Sequence, residues 1–448
     1  MAHQSLHFAT FNINDFMQAY LLDWANLLLR SLHVVVAIAW IGASFYFVWL
    51  DNHLVKPGAA ALKDKGVDGE LWAVHGGGFY NPQKYMVAPA NLPQHLHWFY
   101  WESYWTWMSG FALFVALYLF NASTFLIDTR VHDWAPPAAI AAALGFLAAG
   151  WLVYDQICRR LGVVKVPQGH RDAASAPQGE QGDLGRPGAS LAAVQIGNDG
   201  RVLGLIAVFI AIAAWAACQL FAGRAAFLIV GAMIATVMSA NVFFWIIPGQ
   251  KQVIADMRAG RPVDSVHGQR GKQRSVHNTY FTLPVLVAML SNHYGMLYSH
   301  ALNWVVLVAL MFTGALVRTY FVKRHERQGQ GFNAWGLVVA VVAILAALIV
   351  WLAPAKSTVP VAAAAPTLAQ VQAIVEQRCV LCHNAVVVQK NIQLHTPALI
   401  EQNAQALYQQ AVVLKLMPMN NATGITEDER AVLGRWYESR QPSAALKP

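Results

Sequence analysis

Long apolar runs alternate with polar loops along the first 354 residues of the chain. A helix needs about 20 mostly apolar residues to cross a hydrocarbon core of about 30 Å. Eight runs approach that length, at residues 27–50, 98–120, 135–157, 202–221, 225–247, 280–299, 302–322 and 333–352. The pattern predicts an all-α chain whose residues 1–354 form a membrane domain of eight transmembrane helices.

Composition supports a membrane protein and argues against a nucleic-acid partner. Hydrophobic residues make up 56% of the chain and charged residues only 12%, whereas soluble domains carry about 25% charged residues. The formal net charge is +8, but the basic residues lie in loops between apolar runs. We therefore interpret them as residues that orient the chain in a lipid membrane.

The basic residues also predict the orientation. The loops after predicted helices 1, 3, 5 and 7 hold most of the loop Lys and Arg residues, whereas the loops on the other side hold Arg130 and Arg224. Basic loops stay in the cytoplasm. We expect a multi-pass protein of the bacterial inner membrane, with both termini in the periplasm.

The most specific motif stands near the C-terminus, where Cys379 and Cys382 precede His383 as C-x-x-C-H. Two thiols at this spacing attach a haem covalently, and the adjacent histidine ligates the iron. A redox dithiol or half of a zinc site is the alternative, but no second Cys/His pair follows, as a zinc site would need. The motif predicts one covalent haem c, bound on the periplasmic side.

A sixth iron ligand is expected downstream. Met417 is the better candidate because Pro418 would stiffen the loop that presents its sulfur, and Met419 is the alternative. Helical patterns flank the motif, and Thr426 with Glu429 forms a predicted capping box. We expect a linker at 355–365, a class I cytochrome c-like domain at 366–442 and a tail at 443–448.

Ionisable residues within apolar helices are functional candidates because burying them in lipid is costly. Glu102, among aromatic residues, and His277, on one face with Tyr280 and Pro284, are catalytic candidates. His33 and His293 are candidate ligands of a haem b. The alternatives are an aromatic belt around Glu102, a hydrogen-bonded core histidine at 33, a polar helix cap at 293 and an exposed loop histidine at 277.

Two polar loops differ in character. Residues 168–200 are rich in Gly, Gln, Asp and Pro, which is typical of a mobile loop. Residues 51–97 combine Gly with aromatic residues, which favours an ordered loop against the membrane face. The Gly76–Gly78 triplet within it is a weak candidate for an anion cradle, because the lysine of a phosphate loop is missing.

Taken together, these features resemble the membrane-bound urate hydroxylase family, the cytochrome c-type urate oxidases of bacterial purine catabolism. The resemblance covers essentially the whole chain. It is carried by the eight-helix count and by three stretches, LLLRSLHVVVAIAWIGASFYFVWLDNHL, VHNTYFTLPVLVAMLSNHY and CVLCH…MPMNNATGITEDER.

The resemblance implies oxidation of urate to 5-hydroxyisourate, with the electrons leaving through haem c to a periplasmic acceptor of the respiratory chain. It implies Cys379 and Cys382 as haem attachment sites, with His383 and Met417 as axial ligands. The alternative function is a membrane-anchored electron-transfer subunit. It would carry electrons from quinol or a partner dehydrogenase to haem c, without substrate chemistry of its own.

Overall fold

The computed structural model describes residues 13–85, 89, 92–165, 194–196, 199–326, 334–353, 365–388 and 391–440. The described chain is mostly helical and divides into two compact units, residues 1–120 and 121–448. The predicted loop at 168–200 and linker at 355–365 lie mostly outside the described residues, and the tail at 443–448 lies wholly outside them. The domain boundaries expected from the sequence stay a prediction.

The described part of the first unit contains three α-helices and four short strands. In chain order its elements are α1 (Ile13–His53), α2 (Ala60–Asp64), β1 (Val67–Glu70), β2 (Ala73–His75), β3 (Gly78–Tyr80), β4 (Gln83–Tyr85) and α3 (Trp101–Phe114). Helix α3 continues through a π-helical turn at Val115–Leu119. Helices α1 and α3 pack against each other.

The strands form an ordered loop in which β1 pairs with β4 and β2 pairs with β3, both antiparallel. His75 is paired with Gly78, so Gly76 and Gly77 are the two residues of a tight hairpin turn. Both have positive φ, 59° and 80°, which glycine adopts without steric cost. The glycine triplet is therefore explained by the turn, and the anion-cradle interpretation is not needed.

The second unit contains the remaining elements. They are α4 (Ala122–Phe125), α5 (Pro136–Leu161), β5 (Val163–Lys165), β6 (Val194–Ile196), α6 (Asp199–Leu220), α7 (Gly223–Asn241), α8 (Ile247–Arg258), α9 (Ser265–Ser291), α10 (Gly295–Tyr298), α11 (Asn303–Glu326), α12 (Trp335–Trp351), α13 (Leu368–Arg378), α14 (Pro397–Gln402), α15 (Ala404–Leu407) and α16 (Glu427–Ser439). A π-helical turn at Val242–Ile246 joins α7 to α8.

Helix α7 lies at the centre of this unit. Buried residues lie on several sides of it, and it packs against α5, α6 and α9. Helix α11 extends the bundle by packing against α9, α6 and α12. A helix that is apolar all round is expected at the core of a bundle rather than at its edge.

Five of the eight predicted spans coincide with helices that are long and apolar enough to cross a membrane in the described part of the chain. These helices are Trp24–His53, Pro136–Leu161, Asp199–Leu220, Gly223–Arg258 and Asn303–Lys323. The other three predicted spans are also helical, but they are shorter or more polar. The chain therefore has the apolar helices of a multi-pass membrane protein, and the full count of eight stays a prediction.

The sixth predicted span differs most from the structure. We expected residues 280–299, but α9 begins at Ser265 and ends at Ser291. The side chain of Asp264 accepts a hydrogen bond from the Val266 amide and caps the helix. An apolar run marks only the hydrophobic part of a helix, so the polar first turns, which include Arg274 and His277, were not predicted as helix.

The contact between α5 and α7 depends on a glycine. Gly150 is buried, and a Cβ atom there would overlap the Met233 side chain. Gly145, on the same helix, is exposed and has no described heavy atom within 4 Å of such a Cβ. Small residues let helices in a membrane approach closely.

We expect Gly150→Val to lower the free energy of unfolding by about 1–3 kcal/mol, because the added methyl groups would force α5 and α7 apart. Gly145→Val is the matched control and should leave stability nearly unchanged. Thermal unfolding of the detergent-solubilised proteins measures both. Equal destabilisation by the two substitutions would contradict the packing described here.

The C-terminal segment of the second unit, residues 365–440, has its own hydrophobic core. Its buried residues are Val371, Val375, Cys379, Leu394, Ile400, Leu407, Ala411, Ile425, Leu433 and Trp436. The capping box predicted at Thr426 and Glu429 is present, and Thr367 with Gln370 forms a second one at the start of α13. The sequence therefore predicted the start of the last helix correctly.

The same segment contacts the helical bundle of its unit through residues near Met417. The Asn420 side-chain amide donates a hydrogen bond to the Thr124 carbonyl of α4 at 2.6 Å. The Leu416 side chain lies directly against Gly295 at the start of α10, where a Cβ atom would overlap it. One edge of the C-terminal segment is thus held against α4 and α10.

Candidate functional site

Polar side chains from three helices meet inside the apolar bundle of the second unit. We call these residues the Asp155 cluster. Helix α5 contributes Tyr154, Asp155 and Cys158, the end of α7 and its π turn contribute Asn241 and Trp245, and α9 contributes Arg274, His277 and Asn278. Buried polar groups are costly unless each finds a partner, so this concentration marks a candidate site.

A buried ion pair lies at the centre of the Asp155 cluster. An Arg274 Nη atom donates to Asp155 Oδ1 at 2.8 Å, and the side chains are only 3% and 7% exposed. The Trp245 indole N–H donates to the same oxygen at 2.8 Å. Arg159 Nε donates to Asp155 Oδ2 at 2.6 Å from a more exposed position. Both carboxylate oxygens are thus satisfied, as a charge at this depth requires.

Aromatic faces surround the Arg274 guanidinium. Its central carbon lies 4.9 Å from the ring centroid of Tyr154 and 5.1 Å from that of Trp245. A desolvated cation over an aromatic face is stabilised by the ring quadrupole. The arrangement presents a positive charge beside flat apolar surfaces, which suits a planar anionic ligand.

His277 is 1% exposed and joins the Asp155 cluster through one ring nitrogen. Its Nδ1 lies 2.8 Å from the Tyr154 hydroxyl and 3.7 Å from the Cys158 sulfur. Asn241 Nδ2 donates to the same hydroxyl and to Asn278 Oδ1, each at 2.9 Å. Among the described residues, no hydrogen-bond partner lies on His277 Nε2.

Of this cluster, only His277 was predicted from the sequence as a site residue. Tyr154, Asp155, Asn241, Arg274 and Trp245 were not. Two signals were present in the sequence, namely an asparagine at the end of the predominantly apolar helix α7, and an arginine three residues before His277 on the same helical face. Neither signal identifies the cluster by itself, because the sequence does not tell which helices are neighbours.

The other catalytic candidate, Glu102, lies in the first unit. Its side chain is half-buried on the first turn of α3, and the neighbouring Trp101 and Trp105 are 55% and 47% exposed. The exposed tryptophans agree with an aromatic belt. A catalytic role for Glu102 stays a prediction.

His33 is held against α3 inside the first unit. The Ser109 hydroxyl donates to the Trp105 carbonyl at 2.6 Å, so its oxygen accepts the bond from His33 Nδ1 at 3.1 Å. This pattern matches the core-histidine alternative, and it also leaves a lone pair on Nε2, as iron ligation requires. His293 is exposed and lies two residues beyond the end of α9. Haem b ligation by either residue stays a prediction.

The C-x-x-C-H residues follow α13 in a tight turn. The amide groups of Cys382 and His383 both donate to the Cys379 carbonyl at 3.1 Å. Cys379 is buried and Cys382 is exposed, and burial raises the pKa of the Cys379 thiol to about 11. One cysteine therefore points into the core and the other lies at the surface.

His383 has the hydrogen bond expected of a metal-ligating histidine. Its Nδ1 lies 3.0 Å from the Ile392 carbonyl, which can only accept, so Nδ1 carries the proton. The lone pair is then on Nε2, and the ring orientation is fixed. In this respect the residues present fit a haem c that is attached through the two cysteines and ligated by His383.

The loop that carries Met417 is held by hydrogen bonds from Arg430, a buried residue of α16. Its guanidinium donates to the Met417 carbonyl at 2.8 Å and also to the Ala411 carbonyl. Met419 instead begins a 3-10 turn, Met419–Asn421. Met417 as the sixth ligand stays a prediction, and this backbone anchor supports it over Met419.

No group of three or more His, Cys, Asp or Glu side chains in the described residues is arranged to hold a metal ion. The chemistry of the second unit centres on the Asp155 cluster and on the C-x-x-C-H turn.

The fold and these sites define a class: a mostly helical chain with the apolar helices of a multi-pass membrane protein and a buried cluster of polar side chains. The family described as urate oxidase N-terminal matches residues 19–171 and 189–353. Because the match covers well over half of the chain, the protein belongs to that family. No curated protein and no solved structure matches the chain.

The family match ends at residue 353, ahead of the segment that carries C-x-x-C-H. It includes every residue of the Asp155 cluster, together with His33, Glu102 and His293. The family assignment therefore bears on the bundle, whereas the haem assignment rests on the C-terminal residues themselves.

Proposed function

We propose that this protein is a membrane enzyme that oxidises urate to 5-hydroxyisourate. We further propose that covalently bound haem c in the C-terminal segment serves as the electron carrier to a periplasmic acceptor of the respiratory chain. The observation that carries the proposal is membership of the urate oxidase N-terminal family across residues 19–171 and 189–353. The Asp155 cluster, within the matched region, is the proposed substrate site.

The reaction removes two electrons and two protons from urate, and water adds to the ring to give the 5-hydroxyl group. The protein must therefore bind a planar anion, accept protons and provide an electron acceptor. Haem c, when bound, supplies one-electron acceptor chemistry, so each urate requires two successive transfers through it to the acceptor. The residues that would hold it are Cys379, Cys382, His383 and Met417.

The Asp155 cluster matches the needs of urate better than any other described group of polar residues in the bundle. Arg274 would bind the anionic edge of the purine, and Trp245 and Tyr154 offer aromatic faces beside it. His277 and Asn241 provide hydrogen-bonding groups at hydrogen-bonding distance from Tyr154. Glu102, in the first unit, stays a candidate proton acceptor.

The site is proposed to open toward the cytoplasm. Tyr154 and Asp155 lie close to the end of α5 that leads into the predicted cytoplasmic loop, about 27 Å along the helix from Pro136. The C-x-x-C-H turn is predicted in the periplasm. This separation is the reason to keep a second redox group, haem b, in the proposal, and His33 and His293 are each a candidate ligand of such a group.

Anaerobic visible spectroscopy of the oxidised, detergent-solubilised protein tests the function. We expect added urate to produce the reduced c-type α-band, and a separate b-type band would support haem b. Full reduction by dithionite with no response to urate would contradict the proposal. Reduction by a quinol without any effect of urate would favour an electron-transfer subunit instead.

A further inference from the structure

The unpartnered Nε2 atom of His277 is the most informative polar group that the described part of the bundle contains. The side chain is 1% exposed, and its other ring nitrogen, Nδ1, has a close partner. A buried polar atom without a partner is rare and calls for an explanation, such as a ligand that completes it. Whether Nε2 would donate or accept depends on which ring nitrogen carries the proton.

A chain of hydrogen bonds decides that question, starting from Asn278. Its side-chain amide lies 2.9 Å from the Met238 carbonyl. A carbonyl can only accept, so the nitrogen of Asn278 faces Met238 and its oxygen faces Asn241. Asn241 must therefore present its own nitrogen to Asn278, at 2.9 Å.

Arg274 fixes Asn241 independently. A guanidinium can only donate, and an Arg274 Nη atom lies 3.5 Å from Asn241 Oδ1. The amide orientation required by Asn278 is thus also the one required by Arg274. The second hydrogen of Asn241 Nδ2 is then directed at the Tyr154 hydroxyl oxygen, at 2.9 Å.

The Tyr154 hydroxyl accepts from Asn241 and has one proton of its own to donate. The nearest acceptor is His277 Nδ1 at 2.8 Å. The Cys158 sulfur, 3.7 Å from the same Nδ1, is a weak acceptor and, as a thiol, a further weak donor toward that nitrogen. Nδ1 is therefore an acceptor, and a neutral His277 carries its proton on Nε2.

We infer that His277 binds the substrate as a hydrogen-bond donor, with Nε2–H directed at an acceptor atom such as a carbonyl oxygen of a purine. In this arrangement His277 is a binding residue and not the general base, and Tyr154 and Asn241 are positioning residues that fix its tautomer. The ligand's identity as urate rests on the proposed function, whereas the tautomer rests on the hydrogen bonds alone. His277 was predicted as a catalytic residue, and this inference defines its role more narrowly.

Two substitutions of His277 by residues of equal shape test whether its side chain donates a hydrogen bond or acts as a general base. The amide nitrogen of His277→Gln can replace Nε2–H, whereas the carboxylate of His277→Glu can only accept. The quantity to measure is the urate concentration that gives half the maximal rate of anaerobic haem reduction in the holoprotein. We expect this urate concentration to change by less than about threefold in His277→Gln and to rise by about tenfold or more in His277→Glu. Retention of the urate response by Glu with loss by Gln would overturn the inference.

A second measurement reads the tautomer without urate. ¹⁵N-histidine labelling distinguishes protonated from unprotonated ring nitrogens, and the difference between wild type and His277→Gln assigns the His277 signals. We expect the unprotonated signal on Nδ1, and loss of this fixed tautomer in Tyr154→Phe. An unprotonated Nε2 in the wild type would overturn the inference. This measurement also decides the case in which both His277 variants lose the urate response. Failure of urate to reduce the wild type would instead count against the proposed function.

Discussion

Replacing Arg274 with glutamine is expected to abolish urate-dependent haem reduction and to lower the free energy of unfolding by about 3–5 kcal/mol. The substitution removes the cation proposed to bind urate. It also leaves the Asp155 carboxylate, only 7% exposed, without its buried partner. Anaerobic urate titration measures the first effect, and thermal unfolding measures the second.

Two further variants separate binding from folding. Arg159 bonds to the same carboxylate but is 56% exposed, so Arg159→Gln should cost less than about 1 kcal/mol and leave the urate response intact. The double variant Asp155→Asn/Arg274→Gln removes both buried charges and should recover much of the stability without recovering the urate response. A normal urate response in Arg274→Gln would rule out the Asp155 cluster as the urate site.

Removing both thiols of the C-x-x-C-H motif has the second large expected effect. The double variant Cys379→Ala/Cys382→Ala should carry no covalently bound haem, because the two thioether bonds have no other attachment point. Haem that stays with the protein on a denaturing gel is the measurement. Cys379 also belongs to the core of the C-terminal segment, so this segment should become more sensitive to protease.

Cys218→Ala is the matched control, since Cys218 is buried in α6, in a different part of the unit. It should retain covalent haem at the wild-type level. Covalent haem in the double variant would show that C-x-x-C-H is not the attachment site. The motif would then be interpreted as a redox dithiol.

Local patterns predicted local structure well. The Thr426 and Glu429 capping box lies at the predicted position because a cap depends on residues three apart in the chain. The apolar runs located the five helices that are long and apolar enough to cross a membrane in the described part of the chain, because an apolar run is also a local property of the sequence. The start of α9 was missed by 15 residues, from 265 to 280, because its first turns are polar and are stabilised by contacts with other helices.

The Asp155 cluster could not be predicted in the same way. Tyr154, Asn241 and His277 come from three helices that are far apart in the chain, and their meeting depends on how these helices pack. Apolar periodicity identifies the helices but not their neighbours. Whether His277 Nε2 donates or accepts is even harder to predict from the sequence, because it follows from four successive hydrogen bonds that begin at a main-chain carbonyl.

The close approach of α5 and α7 at Gly150 and Met233 makes the geometry of the Asp155 cluster depend on the angle between these two helices. Tyr154 lies one helical turn beyond Gly150, about 6 Å along α5, so a change of about 10° in the crossing angle would move the helix backbone at Tyr154 by about 1 Å. A shift of that size would break the 2.9 Å hydrogen bond from Asn241. Helix tilt responds to the thickness of the surrounding lipid. If the cluster is the urate site proposed above, urate affinity measured in thin and thick bilayers should therefore differ even though every residue is the same.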